Sequence, residues 1–493
     1  MIIEQYLFFL FSLFFSFSTM TCQSAVGVGG LNEDRNDFVY ARCDYSAMDY
    51  AKNFSSYYDQ QIHPLVAPNL NQENSIHTFE IGSENNPYMI NLQQMYCNID
   101  WRVVRRDGTP LDGTDKVSIV NNFSHSLFEQ IDVSINGVQI SDHARSTHFR
   151  SVLTNKLSIC KEIKDTHLKC DYYYDDPKNS KINITDESFA PGDNNGEHGI
   201  KERSAVIKNS KIQNSYFRPQ FDLTTCERDL PGNTVLRLVF TLASSDFLLL
   251  HTAEKKYKVE IIKFEMEVAR YKPPANIEKT IETKKKSGLF LPFTRTTVRK
   301  REVHVGIHDL ILPRIIEGDQ LPHMIIIVPL QNYQLFSADK NPYCWKSHNI
   351  SKFSLLLNGS SKPLQPLEVT TKSEDIMRNT RAYKHCMRAI GWNETAPNNP
   401  GIDMDSWITS NFFMAWDLTD CFCAGELVLY EKKNLIIFFF LGGHNHIPMV
   451  GDVALHMKFN TPPEHPISLM IVACYESQLT ILSDGVVTMD YSQ

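Results

Sequence analysis

FDLTTCERDLPGNTVLRLVF, residues 221–240, returns in altered form near the end of the chain, as WDLTDC at 416–421 followed by IPMVGDVALHMKF at 447–459. In both places an aromatic residue precedes Asp-Leu-Thr-x-Cys, and an apolar-Pro pair and a glycine follow. From that glycine the spacing G-x-x-x-L-x-(L/M)-x-F is shared: Gly232, Leu236, Leu238 and Phe240 against Gly451, Leu455, Met457 and Phe459. Upstream, IDVSING (131–137) has a counterpart in FSLLLNG (353–359). Two matched pairs in the same order predict a tandem duplication. A separation of about 200 residues is too long for a solenoid repeat or a propeller blade and fits the copying of a whole domain.

Alternation identifies the kind of domain. In IDVSING, Ile131, Val133 and Ile135 alternate with polar residues, the pattern of a strand with one face buried and one wet. Asn136-Gly137 is a favoured pair for a two-residue hairpin, where both turn positions need positive φ. HTFEIG (77–82), YMINLQQMYCNIDWRVV (88–104), TVLRLVFTLA (234–243), KVEIIKFEMEVARY (258–271), HMIIIVPL (323–330) and LMIVACYE (469–476) add further strands. Helical patterns are short: a turn in NNFSHSLFEQ (121–130), a helix around Ser146–Ile159 and another in IEKTIETKKK (277–286). Short β runs punctuated by Pro, Gly and Asn predict an all-β chain of sandwich or jelly-roll domains rather than βαβ units.

The expected organisation is an apolar leader or mistranslated segment at 1–19, an N-terminal arm at 20–67, a first jelly roll at 68–272, a linker at 273–302 and a second jelly roll at 303–493. MIIEQYLFFLFSLFFSFST has the apolar length of a signal peptide, yet it carries Glu4, no Lys or Arg and no A-x-A site. Three origins stay open: a secretory signal, non-coding sequence translated ahead of a start at Met20, and a retained anchor, for which the run is short. Sequons at Asn53, Asn122, Asn183, Asn349, Asn358 and Asn393 fit secretion but also arise by chance in so Asn-rich a chain. The polar insert at 160–215, with CDYYYDDP and PGDNNGEHG, reads as a solvated excursion, its tyrosines as a binding platform in the alternative. Lys284–Lys286 and Arg299–Arg301 read as solvated linker charge, or in the alternative as contacts to packaged nucleic acid or a partner.

The 493 residues, 42% hydrophobic and 11% aromatic, suffice for two cores. A formal charge of −8 carries no global nucleic-acid footprint. The eleven cysteines are scattered without CxxC pairs and are expected to be mostly buried and reduced. No phosphate loop, HExxH or GxSxG is present, and Gly27-Val28-Gly29-Gly30 lacks the strand and spacing of a dinucleotide loop. Cys421-x-Cys423 and His444-x-His446 depart from zinc-site spacing. Asp222 and Asp417, at matching places in the two copies, are expected to share a structural task such as bonding turn amides. No catalytic, cofactor-binding or metal residues are therefore assigned, and the chain is expected not to be an enzyme.

Several segments in order bring a family into view. HTFEIGSENNPYMINLQQMYCNIDWRVVRRDGTPL (77–111), VSIVNNFSHSLFEQIDVSINGVQIS (117–141) and GDQLPHMIIIVPLQNYQLFSADKNPYCW (318–345) resemble marked segments of the double jelly-roll major capsid proteins of Polinton/Maverick-type elements and adintovirus-like viruses. The second carries the N-x-x-x-S-L-F turn and N-G hairpin; in the third, Gln320, Pro322, Asn341, Pro342 and Tyr343 hold the family's G-Q-x-P and NP-aromatic places. The resemblance covers most of residues 75–490 and implies homotrimers that form pseudo-hexagonal blocks of an icosahedral lattice, beside a penton or minor capsid protein. It implies neither specific nucleic-acid recognition nor a membrane span in the mature protein. Two features depart from it: the N-terminal apolar run, and an insertion that places Cys421 twenty-seven residues before Pro448, against five from Cys226 to Pro231. The insertion includes VLYEKKNLIIFFFLGG (428–443), readable as a buried hairpin or as translated intron. The expected location is a virion-like particle or intracellular if translation starts at Met20, and secreted if 1–19 is a signal. The other function class is a secreted two-domain β-sandwich glycoprotein that binds carbohydrate or protein.

Overall fold

Strands fall where alternation places them. The computed structural model describes residues 56–65, 75–82, 87–141, 145–175, 180–189, 198–226, 228–252, 257–316, 318, 320–392, 399–419 and 450–490. In the first half these hold β1 (Ser56–Ile62), β2 (Ile76–Ile81), β3 (Met89–Arg105), β4 (Val117–Ile119), β5 (Phe128–Ile135), β6 (Val138–Gln139), β7 (Gln213–Phe217), β8 (Leu236–Leu242), β9 (Leu249–His251) and β10 (Tyr257–Lys272). The second half holds β11 (Leu289–Val303), β12 (Asp309–Leu312), β13 (Met324–Gln331), β14 (Ile350–Leu357), β15 (Ser360–Glu368), β16 (Met414–Asp417), β17 (Val453–Phe459), β18 (Ile467–Ile481) and β19 (Val487–Met489). The sheets run β1-β10-β3-β7 and β2-β8-β5-β6 in the first half, β11-β18-β13-β16 and β12-β17-β14-β15 in the second; β4 pairs with β9, and β19 with β18. With β4, β9 and β19 set aside, the strands of each half in chain order give sheets 1-8-3-6 and 2-7-4-5. The chain is all-β, two tandem jelly rolls of one winding.

The hairpins repeat down to their irregularities. Asn136 and Gly137 have φ of 49° and 82°, Asn358 and Gly359 of 50° and 80°, so both turns place two residues in the left-handed region. The Asn136 Oδ1 accepts from the Val235 amide at 2.8 Å, just before β8, and the Asn358 Oδ1 from the Asp452 amide at 2.8 Å, just before β17. Each hairpin carries a bulge near the start of its first strand, between Phe128 and Gln130 and between Ile350 and Lys352. Ile135 pairs with Leu236 and Leu357 with Val453, which makes Leu238 the counterpart of Leu455 and Phe240 that of Met457. This corrects the match of Gly232 with Gly451 by two residues. Side chains on a strand repeat every two residues, so a slip of two keeps every apolar residue facing the core and leaves no trace in the pattern.

Three stretches differ from their sequence reading. β1 lies inside 20–67, the expected arm, and pairs with β10 from Ser56↔Lys272 to Ile62↔Met266. Its SYYDQQI lacks clean alternation because β1 is a sheet edge, held by backbone pairing. The expected linker 273–302 contains a helix, α2 (Ala275–Lys285), and then β11, paired residue for residue with β18. Charged side chains such as Lys300 and Arg301 suit an edge strand, where they discourage pairing with foreign chains, and so disguise it as a linker. The expected solvated insert 160–215 buries Tyr172, Tyr173, Ile182, Ile184 and Arg203. The Tyr172 hydroxyl donates to the Asn214 carbonyl at 2.7 Å, so its ring is neither a solvated nor a platform residue.

Burial separates the two long sheets. From Met95 to Val103 of β3 buried and partly buried residues alternate, whereas Ile325–Leu330 of β13 and Ile467–Tyr475 of β18 are buried throughout. A continuous apolar run marks a strand covered on both faces. Seven free cysteines lie among the described residues, six of them buried and Cys170 exposed. No helix among the described residues is long and apolar enough to cross a membrane. The stretch 428–443, residues 1–19 and Cys421, Cys423, His444 and His446 lie outside the described residues.

The two turn asparagines set the register of their rolls. Asn136→Ala and Asn358→Ala each lose a side-chain bond to a backbone amide and place a Cβ residue less tolerant of positive φ in the turn. Each substitution is expected to cost about 1–2 kcal/mol, read as a lowered urea midpoint with unchanged slope.

Candidate functional site: the junction between the rolls

Two of the three segments that carry the family resemblance, 117–141 and 318–345, meet in space. Asn341 opens the Asn-Pro-Tyr turn and is buried; its Oδ1 accepts from the Tyr343 amide at 3.1 Å and its carbonyl from Gln334 Nε2 at 2.5 Å. That closure aims Tyr343 at the first roll, where its hydroxyl bonds Ser126 Oγ at 2.7 Å. Ser126 ends the short helical turn Phe123–Ser126, entered through Asn122 at φ 56°. Asn122 is buried, and its Oδ1 accepts from Asn155 Nδ2 at 2.8 Å. Burial raises the Tyr343 phenol well above its ordinary pKa, so the ring stays neutral.

Helix α1 (Thr147–Ser158) of the first roll lies across this turn. Lys156 Nζ donates to the Tyr343 carbonyl at 3.2 Å and stands 4.5 Å over the Trp345 ring. Phe149 packs 5.9 Å from the same ring, and Trp392 Nε1 donates to the Leu157 carbonyl at 2.7 Å. Lys164, buried, donates to the carbonyls of Lys156 at 2.6 Å and Pro400 at 2.7 Å, one from each roll. Burial pushes its pKa down to about 8. The insert completes the clamp: Asn341 donates to the Ile182 carbonyl at 2.7 Å and Ile184 to that of Asp339 at 2.8 Å, a short antiparallel bridge between the rolls.

A second contact joins α1 to β11. Arg150 and Asp222 pair at 2.5 Å, both largely buried, and Asp222 Oδ1 also accepts from the Thr296 amide at 3.2 Å. Burial raises the Asp222 pKa and Arg150 opposes the rise. Asp417, its match in the repeat, instead caps its own turn, accepting from the Thr419 amide at 2.9 Å and hydroxyl at 2.6 Å. The shared task expected of the two aspartates is therefore not shared: one ties two rolls together and one closes a turn. Nor do they converge in a cleft. Among the described residues no group of three or more His, Cys, Asp and Glu is placed to hold a metal ion. What the arrangement does chemically is fix two sandwiches in one relation.

Sequence reading picked out Asn341, Pro342, Tyr343 and the N-x-x-x-S-L-F turn but not that they touch. It missed α1 residues Arg150 and Lys156 and the insert. The signal for the insert was KINIT (181–185), where Ile182 and Ile184 flank a polar residue in strand alternation.

No family model matches the chain, and no curated protein does. Solved structures do. The chain is similar to the Sputnik virophage structure from cryo-electron microscopy, with TM-score 0.55 and 10% identity over 95% of this chain and 94% of that one. It is also similar to the mavirus major capsid protein (TM-score 0.49, 10% identity, 90% and 92% covered) and to the PBCV-1 virus capsid (0.48, 10%, 90% and 99%). At such identity the likeness is one of fold, and the fold neighbours are double jelly-roll viral major capsid proteins.

Tyr343→Phe deletes one buried bond and leaves Ser126 its other partner, the Asn121 carbonyl. It is expected to cost about 1–2 kcal/mol in denaturant unfolding, with the fold intact. Acid should weaken the protein more broadly. Burial holds His77, His148, His348 and His385 neutral, each with its pKa lowered from 6.5 to about 4. Between those values the unfolded chain binds more protons than the folded one, so stability is full above pH 6.5 and is lost as pH falls toward 4. Thermal midpoints measured across that window should fall with pH, and His148→Phe should flatten the fall.

Proposed function

We propose that this chain is a structural, non-enzymatic capsid protein that builds a virus-like particle from copies of itself. One observation carries the reading: two rolls of identical winding are welded by a buried junction, so each chain supplies two similar units in a fixed relation. Three such chains give six similar units, a pseudo-hexagonal block whose neighbours meet through related contacts. The similarity to the virophage structure over 95% of the chain supports it. The sequence resemblance supports the finer reading, a Polinton/Maverick-type or adintovirus-like element, with the particle as the protein's location and a penton or minor capsid protein as a further partner. In this reading the first roll closes before the helix Ala275–Lys285 and the second begins after it.

The rival reading, a secreted binding glycoprotein, finds less support. The Asn122 sequon is fully buried, and the side chains of Asn183 and Asn358 are engaged by Lys340 Nζ at 2.7 Å and by the Asp452 amide.

Size-exclusion chromatography with light scattering, followed by negative-stain microscopy, tests the proposal on the full chain and on the chain begun at Met20. Trimers and, at higher concentration, particles are expected. A monodisperse monomer at every concentration and salt would overturn it.

A further inference from the structure

We infer that the outer face of the first roll's β1-β10-β3-β7 sheet docks a second copy of this chain, and that the element seated there is the basic side of a helix in the second roll, α3 (Thr380–Ala389). The inference rests on the self-assembly reading above and names the surfaces that would meet.

Two sheets of the same winding are treated differently. The first roll packs against the β11 side of the second roll's β11-β18-β13-β16 sheet. The amides of Thr294 and Thr296 donate to Thr225 Oγ1 at 3.1 Å and Asp222 Oδ1 at 3.2 Å, and Val298 lines one small cavity with Thr147 and Arg150 of α1. Among the described residues, the corresponding face of the first roll keeps an exposed aromatic surface. There Tyr96 and Tyr216 stack at 5.0 Å and 6°, and Tyr216 remains 46% exposed. With Asp59, Gln94 and Glu267 they line a cleft of about 240 Å³. The Tyr216 hydroxyl donates to Glu267 at 2.8 Å, so the cleft presents aromatic faces edged by carboxylates.

The element that helps to cover the second roll's sheet also has a counterpart. α1 lies between the fifth and sixth main strands of the first roll, and α3 occupies that place in the second. α1 uses Arg150 to reach Asp222 beside β11. α3 buries Ala382, Cys386, Met387 and Ala389 and turns Arg381, Lys384 and Arg388 outward. Spacings of three and four residues set those cations on one side of the helix. Arg381 Nη2 donates to the Gln365 carbonyl at 3.0 Å, which ties the helix to a neighbourhood where Leu364 is 87% exposed. Met377, 71% exposed, lies just ahead of the helix. Cations with flanking apolar side chains on one surface, and carboxylates with stacked tyrosines on the other, are complementary in charge and in kind. Arginine and aromatic residues are those enriched at interface cores, and a cation over an aromatic face adds its own attraction. The two surfaces lie on different rolls. Their contact between copies is therefore heterologous, repeats the roll-to-roll relation within a chain, and closes a ring when the rotation fits.

Three charge variants of the full chain test this: Arg381→Glu with Arg388→Glu, Asp59→Lys with Glu267→Lys, and all four together. Thermal melting first confirms that each is folded. Each double variant is expected to weaken association roughly tenfold or more in light scattering, and the fourfold variant, in which swapped charges meet again, to recover it. Raising salt from 0.1 to 1 M shortens the screening length from about 10 Å to 3 Å and should weaken association of the unaltered chain as well. Should a double variant fail to fold, that salt series decides. Assembly of folded double variants like the unaltered chain, failure of the fourfold variant to recover, or indifference to salt would overturn the docking while leaving self-assembly in place. A monomeric unaltered chain would sink both.

Discussion

One sheet of this protein cannot exist with water on either side. β13 and β18 are apolar on both faces, so β11-β18-β13-β16 needs packing on each side, and at β11 the first roll supplies part of it. Each large side chain exposed there would lose roughly 1.5–3 kcal/mol of burial. The second roll is therefore not an independent sandwich that happens to follow the first. The polar contacts at the junction follow from that constraint. Arg150, Asp222, Lys156, Lys164, Ser126 and Tyr343 are polar groups taken out of water by the packing of two rolls, and each has a partner there. Leaving such a group unbonded would cost about 1–3 kcal/mol, so the bonds choose one docking of the rolls among many.

The repeat was legible because it is written in backbone requirements. Positive φ at two successive residues favours Asn-Gly, and an Asn side chain that holds the amide just before the neighbouring strand of the sheet cannot be exchanged freely. The helix over 147–158 and the strands β2, β3, β5, β8, β10, β13, β14, β17 and β18 were legible because local periodicity determines them. The relative register of β8 and β17 was not, because a slip of two preserves the pattern.

Long-range pairing was the part that sequence hid. β1 and β11 are edge strands, one without alternation and one heavily charged, and both are held by partners 164 to 216 residues away. The insert looked solvated because Lys, Asp and Asn are abundant in it, yet it buries Leu168, Tyr172, Tyr173, Ile182, Ile184, Ile200, Arg203 and Ile207. Composition averages over such a segment and loses the residues that matter. The candidate site was half visible: the turns at Asn122 and Asn341 stood out, while the contact between them is a property of the folded chain alone.

The bridge between 182–184 and 339–341 also sets an order of events. The first roll's own strands are complete once residue 272 has been made, but the insert's partner is then still unsynthesised. Until about seventy more residues emerge from the ribosome, at roughly 5–20 residues per second, the nascent first roll carries an unpaired backbone edge and an uncovered patch around Phe149 and Ile182. A stall in that interval would leave a folded sandwich with an adhesive flank. Synthesis speed across the middle of the chain thus becomes a determinant of yield, through a loop that is silent once the protein is finished.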